Sequence, residues 1–242
     1  MSVSIIIPAY NEELRLPTLL CSLRQATTRL HDLLPKYSVE VIVVDNCSTD
    51  NTASLALEYR AKVITENRRS VACVRNKGAS HATGNYLIFI DADYRVSSKF
   101  LIGIVKALES DPRTVALGVK VLVEPDEIDI IQGSFANFIL FLLRRIRHMG
   151  FGVFVFRKNY FEQLGGFDEG VFAYEDVELH EKLRRDLYKK KERYRVLHHA
   201  LAYASARGFH RGGMFISYFT MLLSKKARRD PAQCRYWYGR ES

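Results

Sequence analysis

Short apolar runs alternate with longer stretches of helical periodicity along the first 123 residues, and nothing else constrains the fold as tightly. Residues 3–8, 39–45, 62–65, 86–90 and 115–123 are apolar, β-prone and of strand length. Between them lie helical patterns. Leucines at 16, 19, 20, 23, 30, 33 and 34 approach a 3.6-residue stripe, and Asp50 is a good N-cap for a helix over 52–59. Residues 71–82 form the next, and Ser97 or Ser98 opens another that runs to about Leu108. This spacing predicts an α/β fold with a mostly parallel central sheet and helices on both faces.

Ligands of such sheets bind beyond the carboxyl ends of the strands. Three polar strand ends therefore meet at one rim: Pro8-Ala9-Tyr10-Asn11-Glu12, Asp45-Asn46-Cys47-Ser48-Thr49-Asp50 and Asp91-Ala92-Asp93. In the last, an apolar run of five stops abruptly at two carboxylates. Side chains two apart on an extended chain share a face, so both acids should project together. Hard oxygen donors at that place suit a divalent cation gripping a diphosphate. Taken alone, an Asp-x-Asp is common and can do no more than cap a loop; its position and its companions carry the argument.

The second half is less regular. Residues 128–148 look helical, 152–157 read as a strand, and 158–164 as a short helix ended by Gly165-Gly166. Residues 176–187 form an acidic-then-basic helix suited to its dipole, 194–204 hold one or two strands, and 214–229 close as a basic amphipathic helix. His198 and His199, inside that strand segment, read as structural. There is no repeat, linker or domain boundary, so the expectation is one domain over residues 1–242.

Size and hydrophobic content of 48% suit one large core, and a formal charge of +9 favours an anionic partner such as a nucleotide, a lipid surface or nucleic acid. Four cysteines without paired spacing read as reduced thiols. No cleavable signal is visible at the start, and no apolar run reaches the ~18 residues of a spanning helix. The expected location is the cytoplasm. Basic clusters at Arg144, Arg145 and Arg147, at Lys189 to Lys191 and at Lys225 to Arg229 also suit peripheral contact with an anionic membrane.

With residues 5–13, 43–50, Arg75-Asn76-Lys77-Gly78-Ala79, Asp91-Ala92-Asp93, residues 165–169 and Glu175-Asp176 read in order, the chain resembles inverting family 2 glycosyltransferases of the GT-A fold. Coverage runs from residue 3 to about 187. The resemblance implies transfer of a sugar from a UDP- or GDP-linked donor to a hydroxyl acceptor (a saccharide, a lipid carrier or a small molecule) with Mn²⁺ or Mg²⁺ as cofactor. It makes residues 1–93 a nucleotide-binding half and 94–242 an acceptor-binding half. Pro8, Ala9, Tyr10 and Glu12 should line the nucleotide pocket, Asp45 should accept from the base, and Arg75 should hold the same end. Asp91 and Ala92 should lie near the ribose. Asp93 falls on the metal with Asp91 beside it, and Asp176 falls on the general base. An acid at a helix N-terminus stays ionised at neutral pH through the dipole. Glu175 should orient the acceptor. The glycine-flanked residues 205–213 supply His210 as a further metal ligand and Arg207 as a phosphate contact.

Other classes fit less well. A haloacid-dehalogenase-type phosphatase would use Asp91 or Asp93 as nucleophile, but needs the motif in its first strand and a later paired-Asp motif. A sugar-nucleotide pyrophosphorylase starts with a Gly-rich basic loop, and a dehydrogenase carries Gly-x-Gly-x-x-Gly; neither is present. A non-enzymatic RNA- or lipid-binding module agrees with the charge and leaves the rim acids without a role, so no nucleic-acid partner is expected.

Overall fold

The computed structural model describes residues 1–123, 152–205 and 224–234. Its strands are β1 (Ser2–Ala9), β2 (Ser38–Asp45), β3 (Lys62–Thr65), β4 (Tyr86–Ile90), β5 (Tyr94–Val96), β6 (Thr114–Val123), β7 (Val153–Arg157) and β8 (Arg193–Ala204). Its helices are α1 (Leu16–Leu33), α2 (Thr52–Glu58), α3 (Val71–His81), α4 (Phe100–Ser110), α5 (Lys158–Leu164), α6 (Glu175–Lys190) and the short α7 (Lys225–Arg228). The strands form one sheet in the order β3-β2-β1-β4-β7-β6-β8-β5. β1 to β4, β6 and β8 run in one direction; β7 and β5 oppose them. β7 slots antiparallel between β4 and β6, two strands that precede it in the chain.

The apolar runs are continuous because helices cover both faces of the sheet, so both side-chain sets of a strand are buried. Ile5 and Ile7 join the core under α1 and α4, and Ile6 joins the opposite core under α3, α5 and α6. On the first side, Leu16, Leu19, Leu20, Leu23 and Leu30 of α1 are buried; at about 1.5–3 kcal/mol each, this stripe dominates the helix's stabilisation. Leu33, expected in the stripe, is exposed on the last turn. On the second side Phe89 packs against Phe161 and Phe167, with ring centroids 5.0 and 5.2 Å away. Gly78 lets α3 lie close on β1 and β2: a Cβ there would stand 2.4 Å from Ile6 Cγ2 and 2.9 Å from Val44 Cγ2.

Several boundaries differ from the sequence reading for local reasons. Asn51 is the N-cap position of α2, while the Asp50 carboxylate accepts the Thr52 amide at 3.0 Å from one residue earlier. Neither serine caps α4, which starts at Phe100; Ser97 Oγ accepts the Leu201 amide instead. β5 was not anticipated, since three residues carry no readable period and its partner lies in β8. Residues 194–204 belong to one strand, interrupted by a bulge where Val119 pairs with Leu197 and Lys120 with Leu201. The bulge contains His198 and His199, which are exposed, so they are not core residues. The expected helix over 128–148 lies outside the described residues, as does most of the one expected over 214–229. No described helix is long and apolar enough to cross a membrane.

Candidate active site

The carboxyl ends of β1 and β4 and the start of α3 open on one cleft. Pro8, Ala9, Tyr10, Glu12, Asn46, Val71, Val74, Asp91, Ala92 and Asp93 line it. Two loops build its rim. Asn11, in the left-handed region (φ 52°), turns the chain out of β1, and its Oδ1 accepts the Thr49 amide at 2.8 Å. The Glu12 amide donates to Thr52 Oγ1 and the Glu13 amide to Asp50, while the Glu12 carbonyl takes the Leu16 amide that begins α1. Asn46 joins the β1 and β2 ends by donating its amide to the Ala9 carbonyl; its side chain donates to the Glu66 and Arg68 carbonyls. Arg69 lies over the Tyr10 ring, 5.4 Å from its centroid.

Asp91-Ala92-Asp93 is a tight turn between β4 and β5, closed by the Tyr94 amide on the Asp91 carbonyl at 3.3 Å. The two acids thus meet at the cleft through turn geometry and not through strand alternation, which corrects the sequence argument. β5 secures the turn from below: Tyr94 pairs with Ala204, and the Ser205 amide donates to the Asp93 carbonyl.

Arg75 stands under the cleft floor, only 2% exposed, and does not line the wall. Its guanidinium donates to Asp91 Oδ1 at 2.7 Å and to Glu175 Oε1, between the rings of Phe154 and Phe167. Although burial alone would lower its pKa, Asp91 and Glu175 hold it above the ordinary arginine value. One buried cation thus ties the end of β4 to the first residue of α6. Asp45 is also buried, its carboxylate accepting the Ser48 amide in a turn that closes β2. Asn46, from the polar end of β2, and Val71 and Val74, in the first turns of α3, also line the cleft, and the two valines carry no sequence signal beyond opening that helix.

Glu175 and Asp176 start α6. Tyr174, in the left-handed region (φ 56°), precedes them as the N-cap residue and makes no side-chain cap. Burial and the neighbouring Glu175 carboxylate push the Asp176 carboxyl up to about 7, against the lowering effect of Arg75 and of the Val177 amide. Desolvation and the second carboxylate therefore act against the helix dipole that was expected to keep this acid ionised at neutral pH. A carboxylate with a proton affinity near neutrality is matched to taking a proton from a hydroxyl.

Asp91 and Asp93 present carboxylate oxygens of the type Mg²⁺ and Mn²⁺ take. Among the described residues no group of three or more His, Cys, Asp or Glu side chains could hold a metal alone. Two carboxylates at a cleft mouth suit a cation that completes its shell with diphosphate oxygens. His210 and Arg207 lie outside the described residues.

The sequence profile described as Glycosyl transferase family 2 matches residues 4–167. The 4,4'-diaponeurosporenoate glycosyltransferase of Staphylococcus haemolyticus is 42% identical over 107 residues, which are 40% of this chain and 26% of that protein. The dolichyl-phosphate beta-glucosyltransferase of Drosophila melanogaster is 37% identical over 101 residues, 38% of this chain and 31% of its own length. The chain thus spans about a fifth to a third of the length of the curated relatives it matches. The mannosyltransferase PcManGT of Pyrobaculum calidifontis, solved with GDP-Man and Mn²⁺, superposes with a TM-score of 0.65 at 23% identity, over 91% of this chain and 64% of that one. The likeness establishes a GT-A glycosyltransferase fold for the mixed sheet. With the profile covering more than half of its residues, the chain belongs to glycosyltransferase family 2.

Proposed function

We propose that the chain transfers a sugar from a UDP- or GDP-linked donor to a hydroxyl acceptor, with inversion at the anomeric carbon. The observation that carries this reading is the convergence of Pro8, Ala9, Tyr10, Glu12, Asp91 and Asp93 on one cleft, with Asp176 joined to its floor through Glu175 and Arg75. Tyr10 and Glu12 hold the nucleoside, with Asp45 and Arg75 shaping the same end from behind. A divalent cation held by Asp93, with Asp91 beside it, would offset the negative charge that develops on the departing diphosphate. Asp176 takes the proton of the acceptor hydroxyl as its oxygen attacks the anomeric carbon and the bond to the diphosphate breaks. No enzyme nucleophile is involved in such a direct displacement. Glu175, expected to orient the acceptor, is buried against Arg75 and instead fixes the start of α6, while His210 and Arg207 serve the metal and the phosphates. PcManGT, with GDP-Man and Mn²⁺ in its complex, supports the donor and metal classes.

A thermal-shift panel of UDP, GDP and their sugars, with and without Mn²⁺, tests the reading. A ligand at about 100 times its Kd adds about 2.7 kcal/mol of stability. One nucleotide should raise the melting temperature only when Mn²⁺ is present, and Asp93→Ala should abolish that dependence. A panel that leaves the protein unmoved refutes the proposal.

A further inference from the structure

We infer that Arg228, on the short C-terminal helix α7, is a positioning residue for the general base; the inference rests on the role given above to Asp176. Arg228 is 2% exposed although it is an arginine near the end of the chain. Its guanidinium reaches Glu178 at 3.2 Å and Glu181 at 3.6 Å, both on α6. Its carbonyl accepts two consecutive amides, Phe172 at 2.8 Å and Ala173 at 3.3 Å. Its neighbour Arg229 pairs with Asp168 at 2.6 Å. One segment of the chain therefore grips the loop entering α6, and Arg228 itself grips both that loop and the helix.

What lies between these grips is the chemistry. Ala173 leads into Tyr174, whose left-handed backbone is followed by Glu175 and Asp176. A non-glycine residue in that region persists only where the surroundings over-determine it. The N-cap residue Tyr174 makes no side-chain cap at the helix start. The carbonyl of Arg228 sets the approach and its guanidinium sets the first two turns. On the other side Arg75 holds Glu175. Asp176 is thus aimed by two arginines from distant parts of the chain, one beneath the floor of the donor cleft and one remote from it.

The test uses Arg228→Met, Arg228→Lys and Glu178→Gln in the full chain, with Mn²⁺ and with UDP-N-acetylglucosamine and GDP-mannose as donors. Nucleotide affinity is read by calorimetry and donor hydrolysis as kcat and KM, well below each variant's melting temperature. Misplacing a base by about 1 Å costs up to about 100-fold, so Arg228→Met should lower kcat by tenfold or more while KM and nucleotide affinity stay within about twofold. Arg228→Lys, which keeps a charge, should fall between. Should Arg228→Met not fold, Glu178→Gln, which leaves the Arg228 carbonyl in place, should show the same kcat-selective loss in weaker form. Unchanged kcat, or losses shared equally by affinity and kcat, overturn the inference alone. A wild type that hydrolyses neither donor, or an Asp176→Asn variant as active as wild type, overturns the functional reading and this inference with it.

Discussion

Replacing Asp176 by Asn should make the protein more stable and inactive, and the gain in stability should grow with pH. In the folded chain burial and Glu175 raise the Asp176 carboxyl to about 7, against about 3.9 for an unfolded aspartate. The folded state therefore keeps a proton that the unfolded state gives up between these values. Stability drawn from that proton is complete below about pH 4 and is lost as pH rises through about 7. The difference corresponds to about 4 kcal/mol at most, and sharing of charge with Glu175 and Arg75 reduces it to about 2–4 kcal/mol at pH 8. Asn keeps an acceptor for the Val177 amide and has no proton to release. Urea unfolding in EDTA, without nucleotide, should show variant and wild type nearly equal at pH 4.5. At pH 8 the variant should lead by a few kcal/mol. A gap that is constant with pH, or a wild type more stable at pH 8, would falsify the account of the site's electrostatics. Nucleotide affinity should survive the change.

Arg75→Met leaves the buried Glu175 and the half-buried Asp91 without their shared cation and should cost about 3–5 kcal/mol in denaturant unfolding; adding Glu175→Gln should recover part of it, and a loss below about 1 kcal/mol would contradict the bridging role. Gly78→Ala drives a methyl into Ile6 and Val44 and should cost about 1–3 kcal/mol by overpacking, with α3 shifted at the cleft; a melting temperature equal to wild type would show that the helix has room to move.

The layered fold was legible because each strand and helix of the first half announces itself by local period, and because parallel strands deliver their carboxyl ends to one rim. Pro8, Tyr10, Glu12, Asp91 and Asp93 reach the cleft for that reason. What the sequence concealed depends on distant partners. Nothing local states that β7 enters between β4 and β6, or that β5 exists. Arg75 reads as a surface helix residue until Asp91 and Glu175 are seen around it. Its one clue is apolar company, Val71, Ala72, Cys73 and Val74 before it and Gly78-Ala79 after it. Asp176 shows the same limit: a helix start favours the ionised acid, and only the packing around it reveals desolvation and Glu175 acting against that. Arg228 reads as one charge of a basic cluster suited to a membrane surface, whereas it is buried against Glu178 and Glu181, partners in α6 that nothing local announces.

The late entry of β7 shapes how this protein can be born. During synthesis β4 emerges with β1 beside it, yet its other edge stays unpaired until residue 157 leaves the ribosome. That edge belongs to Tyr86-Leu87-Ile88-Phe89-Ile90, buried throughout in the finished chain. An open, apolar β edge invites pairing with another nascent chain. Release of fragments ending near residue 123 should therefore yield aggregates, whereas fragments long enough to deliver Val153–Arg157 can close the sheet around the Asp91–Asp93 turn.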